Sequence, residues 1–178
     1  ITVLHKALEL LPEDAQTCRT LGNTLHEFGR LAQAQASYRR ALELQPDYYE
    51  VYNNLGNTLQ GLRLLAEAQM SYRRASELMP EQYQAHHNLG IVLQGFGRLS
   101  EAEVCLRRVV ELQPDLHTAH HNLGGILQER GRWSEAEACY RRAIELNPGF
   151  PETHDGRGNV LQALGRWHEA EAEHRLAI

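Results

Sequence analysis

Histidine is the residue type whose spacing most invites a chemical reading. His117 and His121 stand four apart, which on a helix puts two imidazoles on one face, a spacing able to hold a metal ion. No carboxylate or cysteine nearby completes a tetrahedral set, and Cys105 and Cys139 fall on other segments, so no metal ligand is expected. The pairs His86-His87 and His120-His121 recur at a fixed interval instead. His86, His120 and His154 read as packing residues, and His87 and His121 as residues facing a ligand. A surface carrying such imidazoles would change its charge near pH ~6. Arginine pairs also recur, at Arg39-Arg40, Arg73-Arg74, Arg107-Arg108 and Arg141-Arg142. A stripe of this kind can engage nucleic acid. Here Glu43, Glu77, Glu111 and Glu145 follow in the next turn, and Glu103, Glu137 and Glu171 precede arginines by four, the favourable order for helix pairs. The stripe therefore reads as a solvated, locally neutralised outer face.

Catalytic motifs are missing. The chain has no Gly-x-x-x-x-Gly-Lys phosphate loop, no Gly-x-Ser-x-Gly elbow and no His-Glu-x-x-His; His168-Glu169 lacks the second histidine. No catalytic residue and no cofactor is expected, so an enzyme would have to lie outside these 178 residues. A net charge of −5 argues against a general nucleic-acid binder. No apolar run approaches the ~20 residues that cross a bilayer, so no membrane partner is expected. Cys18, Cys105 and Cys139 are an odd set without a pairing motif, which points to reduced thiols and a cytoplasmic home, the periplasm being the alternative. The start, Ile1 to Lys6, has neither an initiator Met nor the order of a secretory signal, as in a fragment or processed chain. Lys6 is the only lysine beside seventeen arginines, a bias with no physical account.

What must position these residues is a repeat. Pro12, Pro46, Pro80, Pro114 and Pro148 recur every 34 residues; so do Gly22, Gly56, Gly90, Gly124 and Gly158, and Ala34, Ala68, Ala102, Ala136 and Ala170. Three interleaved ladders with one period make the chain an array. Its units are 15–48, 49–82, 83–116, 117–150 and a truncated 151–178, with residues 1–14 as the second helix of a preceding unit. Each unit reads as two helices. In unit 2, Tyr52, Leu55, Gly56 and Leu59 form one helical stripe, and Leu65, Ala68, Tyr72, Ala75 and Leu78 another. Gly29-Arg30, Gly97-Arg98, Gly131-Arg132 and Gly165-Arg166 mark the turns between them. The small Gly and Ala positions let two axes approach, and stacked units share one core. In the last unit Arg157 stands where leucine is usual and His174 where tyrosine is usual, so that unit is expected to be the loosest. Its outer side would be apolar, open to self-association or to cover by other sequence.

Leu-Gly-x-x-Leu, then Ala-x-x-x-Tyr, then Pro, at this period resembles the tetratricopeptide repeat (TPR) over essentially the whole chain. Cys18, His86, His120 and His154 depart from that family's usual aromatic at their position. The resemblance implies an all-α, right-handed superhelical solenoid of antiparallel helix pairs whose first helices line a groove for an extended peptide. Carried onto this chain, the groove residues are Arg19, Asn23, Asn53, Asn54, Asn57, Gln84, His87, Asn88, His121, Asn122 and Asn159. Amides dominate, and each carries both a donor and an acceptor, so they suit a peptide backbone whatever its side chains. The row Asn54, Asn88 and Asn122, with the run Tyr140 to Pro148, is similar to the repeats of O-linked N-acetylglucosamine transferases. The expected function is a peptide- or protein-binding scaffold: the substrate-recruiting arm of a bacterial glycosyltransferase, or alternatively a free-standing adaptor in a secretion, pilus or regulatory assembly. The carboxylate clamp of chaperone-binding members is matched at Arg19, Asn23 and Asn54. The remaining basic positions are Gln84 and Asn88, which leaves one cation where several are needed.

Overall fold

The computed structural model of the protein describes residues 14–177. Among these are ten helices and no strand. In chain order they are α1 (Ala15–Glu27), α2 (Leu31–Leu44), α3 (Tyr49–Gly61), α4 (Leu65–Leu78), α5 (Tyr83–Gly95), α6 (Leu99–Leu112), α7 (His117–Glu129), α8 (Trp133–Leu146), α9 (Pro151–Ala163) and α10 (Trp167–Leu176). The helix expected over residues 1–14 lies outside the described residues, except that Asp14 caps α1 by accepting from Gln16 N at 3.2 Å and Thr17 N at 2.9 Å. The fold is an all-α solenoid of antiparallel helix pairs. The chain divides into two compact units, one ending at Ala85 and one beginning at His86.

In the first unit α1 pairs with α2 and α3 with α4, and α2 packs on α3. The pairing rests on a ring against a bare backbone. A Cβ added to Gly22 would lie 2.5 Å from Tyr38 Cε1, and one added to Gly56 would lie 2.5 Å from Tyr72 Cε1. Tyr72 is fully buried, as are Leu59, Ala68 and Ala75 of the same helix pair. In the second unit α7 pairs with α8 and α9 with α10, while α6 packs on α7 and α8 on α9. There Tyr140 sits over Gly124 at 3.0 Å from the would-be Cβ, Leu106 over Gly90 at 2.9 Å, and His174 over Gly158 at 2.6 Å.

Four turns between paired helices use glycine at positive φ: Gly29 at 70°, Gly97 at 71°, Gly131 at 70° and Gly165 at 75°. After α1, Gly29 N donates to His26 O and Arg30 N to Leu25 O, closing the last carbonyls with a left-handed residue. The α3–α4 turn makes the same bonds through Arg63 N and Leu64 N, but its left-handed residue is Arg63, at φ 63°. For a side-chain-bearing residue that conformation costs about 1–2 kcal/mol.

Two acids depart from the expected solvated stripe. Glu103 is only 2% exposed and pairs with Arg107, Arg130 and Arg132. Glu137 is also buried and takes Arg157 at 2.8 Å. Glu101, Glu135, Glu169 and Glu171 do face solvent. The last unit, expected to be loose, is tied together by charge. Arg157 bridges Glu137 of α8 and Glu173 of α10, and Glu173 also meets His154 Nδ1 at 2.7 Å. Beyond that network Trp167 and Leu176 are 66% and 64% exposed.

The ring–glycine contacts predict a graded cost. Gly56→Ala drives a methyl into a ring with no room to move and should destabilise by about 1–3 kcal/mol. At Gly124 the gap is wider and the helix-propensity gain of about 1 kcal/mol offsets the strain, so Gly124→Ala should be close to neutral. Denaturant unfolding of the two variants measures this; equal losses would contradict the packing described.

Candidate ligand-binding face on the first helices

Odd-numbered helices carry the residues singled out by the sequence. In the first unit the structure brings most of them together. Arg19 of α1, Asn53 and Asn54 of α3, and Gln84 of α5 line one recess of about 220 Å³, with Tyr49, Glu50 and Gln82. Asn23, Asn54 and Asn57 line a second, of about 180 Å³, beside His26, Glu27 and Tyr38. Arg19 lies over the Tyr48 ring, 5.6 Å from its centroid, and its Nε is buried without a hydrogen-bond partner among the described residues.

The tyrosines of the core reach this face. Tyr38 OH donates to Asn23 Oδ1 at 2.7 Å, and Asn54 Nδ2 donates to the same oxygen at 3.0 Å. Tyr72 OH donates to Asn57 Oδ1 at 2.7 Å and to Gln60 Oε1 at 3.0 Å. Burial pushes the Tyr38 phenol up to about 12 and the Tyr72 phenol higher still, so both remain donors. Asn23 and Asn54 are thereby oriented. Their interaction occupies one acceptor of Asn23 and one donor of Asn54, leaving the Nδ2 of Asn23 and the Oδ1 of Asn54 for other partners.

In the second unit the face is built from imidazoles as well as amides. Asn122 Nδ2 donates to His87 Nε2 at 2.8 Å, and His121 Nδ1 meets Thr153 Oγ1 at 3.0 Å. The His121 ring stands edge-on to Tyr140 and Phe150, with centroids 5.7 and 5.2 Å away, and His117 stands edge-on to Phe150 at 5.1 Å. His117 Nε2 accepts from Asn147 Nδ2 at 3.3 Å, the Oδ1 of Asn147 being taken by Gly149 N. No group of three or more His, Cys, Asp or Glu able to hold a metal occurs among the described residues. His120 and His154 lie in the core with Nε2 on Pro114 O at 2.8 Å and Pro148 O at 2.9 Å, which fixes where each first helix starts. Asn88 is half-buried. Asn159 is exposed and turns to Asp155 of its own helix at 3.3 Å.

Sequence reasoning missed the phenol-to-amide bonds. A tyrosine in the ring position accompanied by an amide fifteen residues earlier, as in Asn23–Tyr38 and Asn57–Tyr72, was the available signal.

Among known proteins, family models for the tetratricopeptide repeat match residues 22–62, 49–82, 83–116 and 115–178. No curated protein sequence matches the chain. Among solved structures, YrrB, described as a TPR protein with an unusual peptide-binding site, is 26% identical with a TM-score of 0.86, over 98% of this chain and 90% of that one. MamA from Desulfovibrio magneticus RS-1 is 18% identical with a TM-score of 0.86, over 92% of each chain. The Pseudomonas aeruginosa pilF structure is 21% identical with a TM-score of 0.80, over 92% of this chain and 74% of that one. At such identities the last two speak for the fold alone.

Burial holds His87 and His121 below the ordinary histidine value of 6.5; at His121 the Glu152 charge opposes this and His117 adds to it. Both therefore take up a proton at lower pH in the fold than in the unfolded chain, which does so near 6.5. Their contribution to stability is therefore complete above that value and declines as pH falls through the depressed folded values. The denaturation midpoint should drop on acidification, and drop less in a His87→Gln/His121→Gln variant; parallel curves would contradict the assignment.

Proposed function

The chain belongs to the tetratricopeptide-repeat family, and on that premise we propose that it is a protein-binding scaffold whose first-helix faces hold an extended peptide through its backbone. The observation that carries this reading is the Tyr38–Asn23–Asn54 chain. It fixes one amide to offer a donor and its neighbour to offer an acceptor, the alternation that an extended backbone presents in return. The second unit repeats the theme with Asn122 held on His87, leaving the Asn122 Oδ1 toward a ligand. The peptide-binding site named for YrrB supports the same class of partner.

Two settings use such a face. The substrate-recruiting arm of a glycosyltransferase is favoured by the Asn54, Asn88 and Asn122 row. A free-standing adaptor would use the same residues without an attached enzyme.

Random peptides displayed on phage and selected against the wild-type protein supply the ligand for the test. Asn54→Ala with Asn122→Ala removes two hydrogen-bonding side chains without opening the core. Peptide affinity should fall about tenfold or more, with the helical circular dichroism and unfolding midpoint preserved. Selected peptides that bind the variant as tightly as the wild type would refute the proposal.

A further inference from the structure

The turns between paired helices differ in charge. In the second unit each arginine that follows the turn glycine is neutralised by a two-pronged pair with a glutamate three residues on. Arg98 meets Glu101 at 2.7 and 2.7 Å, Arg132 meets Glu135 at 2.8 and 2.6 Å, and Arg166 meets Glu169 at 2.7 and 2.5 Å. The first unit lacks this. Arg30 has Gln33 at that distance in sequence. Arg63 occupies the glycine place itself, while Glu67 of the following helix turns to Arg39 at 2.8 Å. Neither Arg30 nor Arg63 has an acid partner among the described residues. Glu27, the nearest acid in sequence to Arg30, lines the recess with Asn23 and Tyr38 instead.

Apolar surface accompanies these two cations. Phe28 is 66% exposed and Leu64 is 40% exposed. Arg30, Leu31, Ala32 and Leu62 line an open recess of about 500 Å³ on this edge. Arg63 keeps a strained backbone where four other turns have glycine, and strain retained at one position is characteristic of residues kept for binding.

We propose that this turn edge of the first unit is a second interaction surface, separate from the first-helix face, and that it docks an acidic segment of a partner protein carrying an apolar side chain. Two guanidiniums without acid partners can grip carboxylates, and the recess lined by Arg30 and by Leu62, the neighbour of Arg63 in sequence, takes the apolar anchor.

The test uses short fluorescent peptides of Asp and Glu, each with one central Leu, Phe or Trp, titrated into the full chain by anisotropy. Binding should weaken as salt rises. It should fall about tenfold in Arg63→Gly and again in Arg30→Gln. It should be unchanged in Asn54→Ala/Asn122→Ala, which separates this surface from the first-helix face. Arg63→Gly relieves the strained turn and should raise the unfolding midpoint, so its lost affinity cannot come from unfolding. Failure of every acidic peptide to bind, or affinity indifferent to both arginine changes, overturns the proposal. Retention of the protein by phosphatidylglycerol vesicles but not by the peptides overturns it too.

Discussion

A tyrosine ring resting on a glycine backbone is the contact on which the helix pairs depend. Tyr38 on Gly22, Tyr72 on Gly56 and Tyr140 on Gly124 set how closely two helices approach, because any Cβ at the glycine would press on the ring. The same side chain ends in a phenol, and the close approach carries that phenol through to the first-helix face. Core packing and the orientation of the amides on that face therefore share one residue. Burial keeps each phenol protonated, so it donates, and an amide that accepts from it must show its donor elsewhere. Where Leu106 takes the ring position, the packing on Gly90 survives but no hydroxyl is supplied.

Charge organises the second unit differently from the first. Glu103 with three arginines, and Glu137–Arg157–Glu173–His154, place carboxylates in a largely apolar core. Buried pairs of this kind add little net stability against well-packed leucine, but they fix register, since a displaced partner leaves a charge unsatisfied. The second network acts between α8, α9 and α10, where Arg157 has replaced an apolar residue. The exposed Arg–Glu pairs along the second helices of the repeats, such as Arg40–Glu43 and Arg108–Glu111, are worth far less, because water screens them.

The period, the helix pairs and the glycine turns were legible in the sequence because each depends on a local rule repeated at one interval. Arg63 shows where such a rule is bent: the turn forms without its glycine because the surrounding hydrogen bonds impose it, and nothing in the residue itself announces a left-handed backbone. Arg157 announced a charge in a leucine position, but its acids lie twenty residues before and sixteen after, on two other helices, so the sequence alone could not pair them. The amide face was legible as composition. Its orientation was not, because Asn23 gains a direction only from Tyr38 and Asn54 across a helix boundary.

The Tyr38 phenol either only fills space or also aims the amides of the first-helix face. Tyr38→Phe keeps the ring on Gly22 and removes only the hydrogen bond to Asn23, so the unfolding free energy should change by about 1 kcal/mol. Affinity for a peptide selected on the wild-type first-helix face should nonetheless fall about tenfold, because Asn23 then keeps only the bond from Asn54 and is held less tightly. Full affinity in the Tyr38→Phe variant would show that the core does not aim the amides.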